Sequence, residues 1–184
     1  MVKSLLFVFV LFLIQCSDKV YESIDPNIKM ISGVYFYGDF FLTGIVKEEI
    51  PAMQETHYTR YDNGIQHGEF KIVHKDGSLL LRTNYQNGMK EGPSFSWHKN
   101  GKLNTYSEFH EDKYINERMV WDANGTLVEY ERYSVDGNVL VTKKWYSNGH
   151  IYMNLSFIND GSAAGLTGSK FCSPIKREEN TSSL

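Results

Sequence analysis

Tyr85-Gln86-Asn87-Gly88-Met89-Lys90-Glu91-Gly92-Pro93-Ser94-Phe95-Ser96-Trp97-His98-Lys99-Asn100-Gly101-Lys102-Leu103 decides how the chain is read. Two Asn-Gly pairs bracket a short run rich in aromatic and small polar residues. Asn-Gly and Asp-Gly most readily take positive φ at both central positions of a type I′ turn, whose twist matches two flanking antiparallel strands. Each pair therefore reads as a hairpin tip. The same signal recurs at Asn63-Gly64, Asp76-Gly77, Asn124-Gly125, Asp136-Gly137, Asn148-Gly149 and Asp160-Gly161, and from Gly101 onward the glycines fall at 125, 137, 149 and 161. The count passes through Lys113 without a glycine, inside Glu111-Asp112-Lys113. A spacing near 12 leaves about 8 residues between tips, or strands of about 26 Å.

The aromatic residues keep the same count. Trp97, Phe109, Trp121, Tyr133, Trp145 and Phe157 stand 12 apart, and all three tryptophans belong to the series. The unit expected is a hairpin of about 24 residues, tryptophan on one arm and phenylalanine or tyrosine on the other, with rings pairing across strands. A second glycine follows four residues after some turns, as in Gly64 with Gly68, Gly88 with Gly92 and Gly161 with Gly165, and Gly44 precedes Gly68 by 24. A glycine inside a strand marks a bulge or a close backbone approach. Glu117 and Val141 occupy the equivalent places in the middle of the chain. The series reaches back to about Gly33 through Tyr35-Phe36-Tyr37-Gly38. The fold class expected is all-β, an elongated antiparallel meander of repeated hairpins in which each contacts mainly its neighbours.

The run from Tyr85 to Leu103 resembles the bacterial variant of the membrane occupation and recognition nexus (MORN) repeat, and the resemblance covers roughly residues 33–168. It implies consecutive β-hairpins and a binding or scaffolding role, with no catalysis. Proteins of that variant family often carry the label of antitoxin component. That label implies an alternative role, neutralising a cognate toxin by binding it.

The stretch from Met1 to Cys16 is a different polymer: Lys3, then an apolar run from Leu5 to Ile14, then Gln15-Cys16. This is the pattern of a secretory signal. The apolar core from Leu5 to Ile14 is too short to span a bilayer, which takes about 20 residues. Leu13 stands three before Cys16, as in the lipobox whose cysteine is acylated and becomes the new N-terminus, although Gln15 replaces the usual small residue. Cys16 is therefore the expected lipid attachment site, with ordinary secretion and an uncleaved anchor as the alternatives. Ser17, where retention in the inner membrane would call for Asp, favours the outer membrane of the cell envelope by resemblance to enterobacterial sorting. The divisions expected are a signal peptide at 1–16, a linker at 17–32, the hairpin array at 33–168 and a polar tail at 169–184. Cys172 pairs with nothing if Cys16 carries lipid, and a Cys16 to Cys172 bridge is open only if it does not.

A net charge of −3 with scattered Lys and Glu argues against a nucleic-acid surface. No His-Glu-x-x-His, Gly-x-Ser-x-Gly, phosphate loop or Cys-x-x-Cys occurs, so no catalytic, cofactor or metal site is expected. Two weak clusters remain: His67, Glu69 and His74 as a zinc site, and Glu108, Glu129 and Glu131 as an acid pair. Exposed polar tips account for the first, and a solvated face with lysines such as Lys143 across a strand accounts for the second. The expected function is a non-enzymatic, envelope-tethered interaction module whose partner is a protein or a surface polymer.

Overall fold

Strands from Gly44 onward pair antiparallel in sequence order, with the short Met89–Lys90 strand and the Gly92–Trp97 strand that follows it both on Leu79–Gln86, so the chain builds one sheet by simple reversal. The computed structural model describes residues 18–157 and 162–166. Its strands are β1 (Val20–Glu22), β2 (Ile28–Ile31), β3 (Val34–Tyr37), β4 (Phe40–Phe41), β5 (Gly44–Ile50), β6 (Glu55–Asp62), β7 (Ile65–His74), β8 (Leu79–Gln86), β9 (Met89–Lys90), β10 (Gly92–Trp97), β11 (Leu103–His110), β12 (Lys113–Trp121), β13 (Leu127–Tyr133), β14 (Val139–Trp145), β15 (Ile151–Phe157) and β16 (Ala163–Leu166). The fold is all-β, a meander of hairpins as expected. Cys16, Cys172, the signal segment, the C-terminal tail and the Asp160-Gly161 turn lie outside the described residues.

The hairpin tips form two margins, and glycine does different work at each. On the first margin Asn63-Gly64 and Asn87-Gly88 hold positive φ at both positions, 48° and 79° and then 51° and 85°, as a two-residue type I′ turn requires. At the Asx-Gly tips of the second margin only the glycines Gly77, Gly101, Gly125 and Gly149 are positive, at 81° to 86°. There the Gly N–H donates three residues back, to the carbonyls of His74, His98, Asp122 and Tyr146. Asp76, Asn100 and Asn148 use their side-chain oxygens instead, accepting from the N–H two residues on at 2.9, 3.1 and 3.0 Å. These are Asx turns. The expectation of type I′ geometry at every tip is thus corrected: it holds on the first margin only as far as residue 112, because Gly137 also belongs to the longer kind, its N–H bonding to Ser134.

This difference explains the missing glycine. The turn lies at Glu111-Asp112, with φ 49° and 65°, and Lys113 is already in β12. Asp112 follows Gly88 at the same interval at which Gly88 follows Gly64. The second positive-φ position follows suit: Gly44, Gly68, Gly92 and Asn116 carry φ of 140°, 93°, 79° and 54°. Asn116 rather than Glu117 is the equivalent residue. At the last three of these the later strand runs two residues long against its neighbour, as where Ser107 faces Arg118 but Glu108 faces Ile115. Beside Val141 the offset against the preceding strand is one residue, not two, since Arg132 faces Val141 and Tyr133 faces Val139.

A one-residue bulge also recurs at the second margin. Trp121 pairs with Leu127 while Val120 pairs with Glu129, so Leu127 and Glu129 stand on opposite faces. The same shift separates Trp97 from Ser96 and Trp145 from Lys144. It is why strict alternation fails along these strands in sequence. It also places the tryptophans at one margin and Phe109 and Tyr133 towards the other, so the two aromatic series do not pair within a hairpin as expected.

Two strands occupy the stretch 17–32 expected to be a linker. The three residues of β1 lie parallel against β5 from Val20↔Ile45 to Glu22↔Lys47, covering the edge on which the array would otherwise begin. A separate sheet of β2, β3 and β4 packs on the first hairpin tip. Tyr35 N–H donates to the Gly64 carbonyl and the Gly64 N–H to Leu42, both at 2.8 Å, while the Tyr35 and Tyr61 rings lie 4.5 Å apart. Residues 33–41 therefore belong to this cap, and the main array starts at Gly44. Leu42, fully buried, is the joint between them.

Gly64 tests the joint. A Cβ there meets the Tyr35 oxygen at 2.5 Å and the Val34 Cγ1 at 2.6 Å, whereas one at Gly77 meets nothing within 4 Å. Both are positive-φ positions, where a side chain costs about 1–2 kcal/mol. Gly64→Ala is expected to lower the melting temperature clearly more than Gly77→Ala, and equal shifts in thermal unfolding would contradict the docking.

Candidate binding face

The sheet is a single layer, so each face must be built from its own rows. One face carries the row Val46, Thr59, Phe70, Thr83 and, beyond it, Ser107, Arg118, Glu131, Thr142, Leu155. Thr83, Ser107 and Thr142 are buried because longer neighbours in the row lean over them. Phe109, also buried, lies 4.6 Å from the Tyr114 ring, and Tyr114 stacks on Tyr133 at 5.3 Å. This face supplies what core the array has.

Its charges are paired. Arg118 donates to Glu129 at 2.7 Å and to Glu131 at 3.0 Å, Lys144 stands 3.4 Å from Glu129, and the Tyr133 hydroxyl donates to Glu131 at 2.6 Å. Burial alone would lower the Arg118 pKa; the two carboxylates outweigh it and raise it. Burial, then the bond to Glu131, pushes the Tyr133 phenol upward. Glu108 stands on the opposite face, held by the Tyr106 hydroxyl and by Asn116 at 2.5 Å. The bond to Glu108, then burial, raises Tyr106 to about 12. The three carboxylates are thus not one acid pair. The lysine beside Glu129 is Lys144, whereas Lys143 faces Tyr130 on the other side of the sheet.

The second face carries all three tryptophans. At its margin Trp97, Trp121 and Trp145 pair with Leu103, Leu127 and Ile151. The adjoining row runs Tyr58, Lys71, Arg82, Phe95, Tyr106, Met119, Tyr130, Lys143. Phe95 lies 6.1 Å from Trp97 and 5.4 Å from Tyr106, and the Lys71 ammonium sits 5.0 Å from the Tyr58 ring. Successive tryptophans are two strands apart, about 9.6 Å at the usual strand spacing. Half-buried aromatic rings interleaved with cations, open to solvent along a row, are suited to stacking and cation–π contact with a partner. Sequence reasoning found the tryptophan period; the row of Tyr58, Phe95, Tyr106 and Tyr130 beside it needed the register.

The weaker clusters resolve in the same terms. His67 and Glu69 share a strand face, but His74 is an odd number of residues away and stands on the other, and Glu69 is 2.9 Å from Arg82. Among the described residues no three His, Cys, Asp or Glu side chains converge on a metal position. A cleft of about 430 Å³ at the second margin is lined by Glu49, Pro51, Gln54, Glu55, Thr56 and Lys75. It gathers two carboxylates, yet the Lys47 ammonium, 2.8 Å away, holds Glu49 below its ordinary range. A general acid requires the opposite shift.

Removing the Arg118 cation leaves Glu129 and Glu131 side by side and half-buried. Arg118→Met is expected to cost about 1–3 kcal/mol in urea unfolding at neutral pH, with Arg118→Lys recovering part of it. At the first margin Glu91 accepts from His110 at 3.1 Å and from the Glu111 N–H at 3.2 Å. These bonds lower Glu91, the bond to His110 being the largest cause, and its bond to Glu91 raises His110 above 6.5. His110 then contributes fully below 6.5 and fades as pH rises through its raised midpoint; Glu91 contributes above 4.5 and fades as pH falls through its lowered one. An NMR titration is expected to place the His110 midpoint above 6.5 and to lose that elevation in Glu91→Gln.

No family model matches the chain, and no curated protein matches it. A solved structure with some likeness is titled "Crystal structure of GtfA/B complex bound to UDP and GlcNAc", at 11% identity and a TM-score of 0.33, over 53% of this chain and 22% of that one.

Proposed function

We propose that the protein is a non-enzymatic interaction module of the cell envelope, tethered through lipid on Cys16, which engages a protein or a surface polymer with the tryptophan-bearing face of its hairpin array. The observation that carries this reading is the row of Trp97, Trp121 and Trp145, evenly spaced in the sequence, on an open single-layer sheet. Nothing described packs a second layer over that row, and the adjoining Tyr58, Phe95, Tyr106 and Tyr130 extend it. The recurring hairpin unit supports the resemblance to the bacterial MORN variant, and the carboxylates, already paired with cations or hydroxyls, suit a structural role better than acid–base chemistry.

Trp121→Ala and Lys143→Glu alter this face, whereas Thr105→Glu alters the other. In sedimentation of the purified protein with isolated envelopes, the first two substitutions are expected to abolish binding and the third to leave it, all three keeping a β-sheet circular dichroism spectrum. Equal loss from both faces, or no binding by the unaltered protein, would rule the reading out.

A further inference from the structure

Apolar exposure in this molecule is concentrated at one end. Among the described residues 12 large apolar side chains are exposed, and six of them, Val20, Ile24, Met30, Ile31, Phe40 and Phe41, lie at or before position 41. Phe40 is 80% exposed, Met30 62%, and Ile31 and Phe41 58% each. Four of the six belong to the small cap sheet. Tyr35 and Tyr37 use one side of that sheet to pack on Tyr61 and Tyr21, at 4.5 and 4.8 Å. Phe36, between them, stands on the other side with its strand partner Phe41, their rings 5.0 Å apart, and Lys29 completes that row. An exposed aromatic and aliphatic cluster bordered by a lysine has the composition of a surface that lies in a lipid interface, rings among the acyl chains and ammonium at the headgroups.

The position of the chain's beginning says which surface is within reach. Lys19 holds its ammonium 4.8 Å from the Tyr21 ring and 4.9 Å from the Tyr37 ring, and Asp18 is paired with Arg60. Tyr37 is the strand partner of Phe40. Cys16 is two residues before Asp18 in the sequence, a length of chain that spans at most about 7 Å. An acyl chain on Cys16 therefore enters the bilayer beside this cap, with no spacer between them. We infer that the apolar outer face of the cap, centred on Ile31, Phe36 and Phe41, rests in the lipid surface as a second membrane contact next to the anchor. This rests on the tethered reading above. An acyl anchor alone leaves orientation free; a second contact fixes it. The strands then lie along the membrane and successive hairpins rise from it, the path from β5 to β16 reaching roughly 48 Å at the usual strand spacing. The tryptophan row extends outward. The lipid contact belongs to the cap, not to the repeats.

The test uses the full-length protein, processed in a bacterial host and reconstituted into phosphatidylethanolamine and phosphatidylglycerol vesicles. The photoreactive analogue benzoylphenylalanine replaces Phe41, or Val135 as a control, which is 78% exposed but far along the array. Irradiation is expected to give lipid adducts at position 41 and none above background at 135. Vesicle flotation is read on the same samples. A protein that floats but gives no lipid adduct at 41, or cross-links there to its own chain or a second copy, overturns the cap contact while the tether stands. A protein that does not float overturns both. Ile31→Ser with Phe41→Ser, which touches only exposed positions, is expected to float through the anchor yet become more accessible to protease in the 28–41 segment.

Discussion

The array depends on a backbone N–H at the first margin. Gly64, Gly88 and Asp112, at equal intervals along the chain, hold positive φ and donate to the carbonyls of Leu42, Gln66 and Lys90, at 2.8, 2.8 and 3.2 Å. Each tip is thereby hung on the strand that follows the preceding tip. Such a bond is worth only about 0.5–1.5 kcal/mol net. A sheet one layer thick has few other long-range terms, so stability comes from repeated neighbour contacts of this size, as in other repeat architectures. At Asp112 the side chain compensates for the φ it must adopt by accepting from the Lys90 N–H at 2.8 Å. After it the rule lapses: the turn ending at Gly137 closes on Ser134 instead.

The two kinds of bulge assign the side chains to their faces. The one-residue shift beside each tryptophan keeps the ring on the face of Phe95, Met119 and Lys143, while the strand interior alternates normally. The two-residue offsets at Gly68, Gly92 and Asn116 fall opposite Tyr85, Phe109 and Tyr133. There a residue with little side chain leaves space beside a large ring. One face thus gathers small hydroxyl residues, paired ions and the few buried groups. The other carries the tryptophans and the row of rings beside them. Both follow from register alone, since no second layer selects between them.

The ends obey a different requirement. An open sheet edge invites pairing with other chains, and here three residues of β1 cover the first strand in parallel while the cap sheet holds the first tip through Tyr35, Leu42 and Gly64. That arrangement puts strands where the polar stretch 17–32 suggested a linker. It brings the first described residues, the cap and the array into direct continuity.

The sequence by itself determined the hairpin period, the meander and the places where glycine is demanded, because positive φ leaves few residue choices and each choice is written in the chain. It also singled out the tryptophans. It misread Glu111-Asp112 and Asn116, since carboxylate and amide side chains tolerate the left-handed region without announcing it, and it took Glu108, Glu129 and Glu131 as one group although a single step in register parts them. Only the tertiary structure decided which rows share a face, which cation neutralises Glu129 and how residues 18–42 close the first edge. Those facts depend on one-residue and two-residue slips between strands, and a slip in pairing leaves no mark on the composition of either strand.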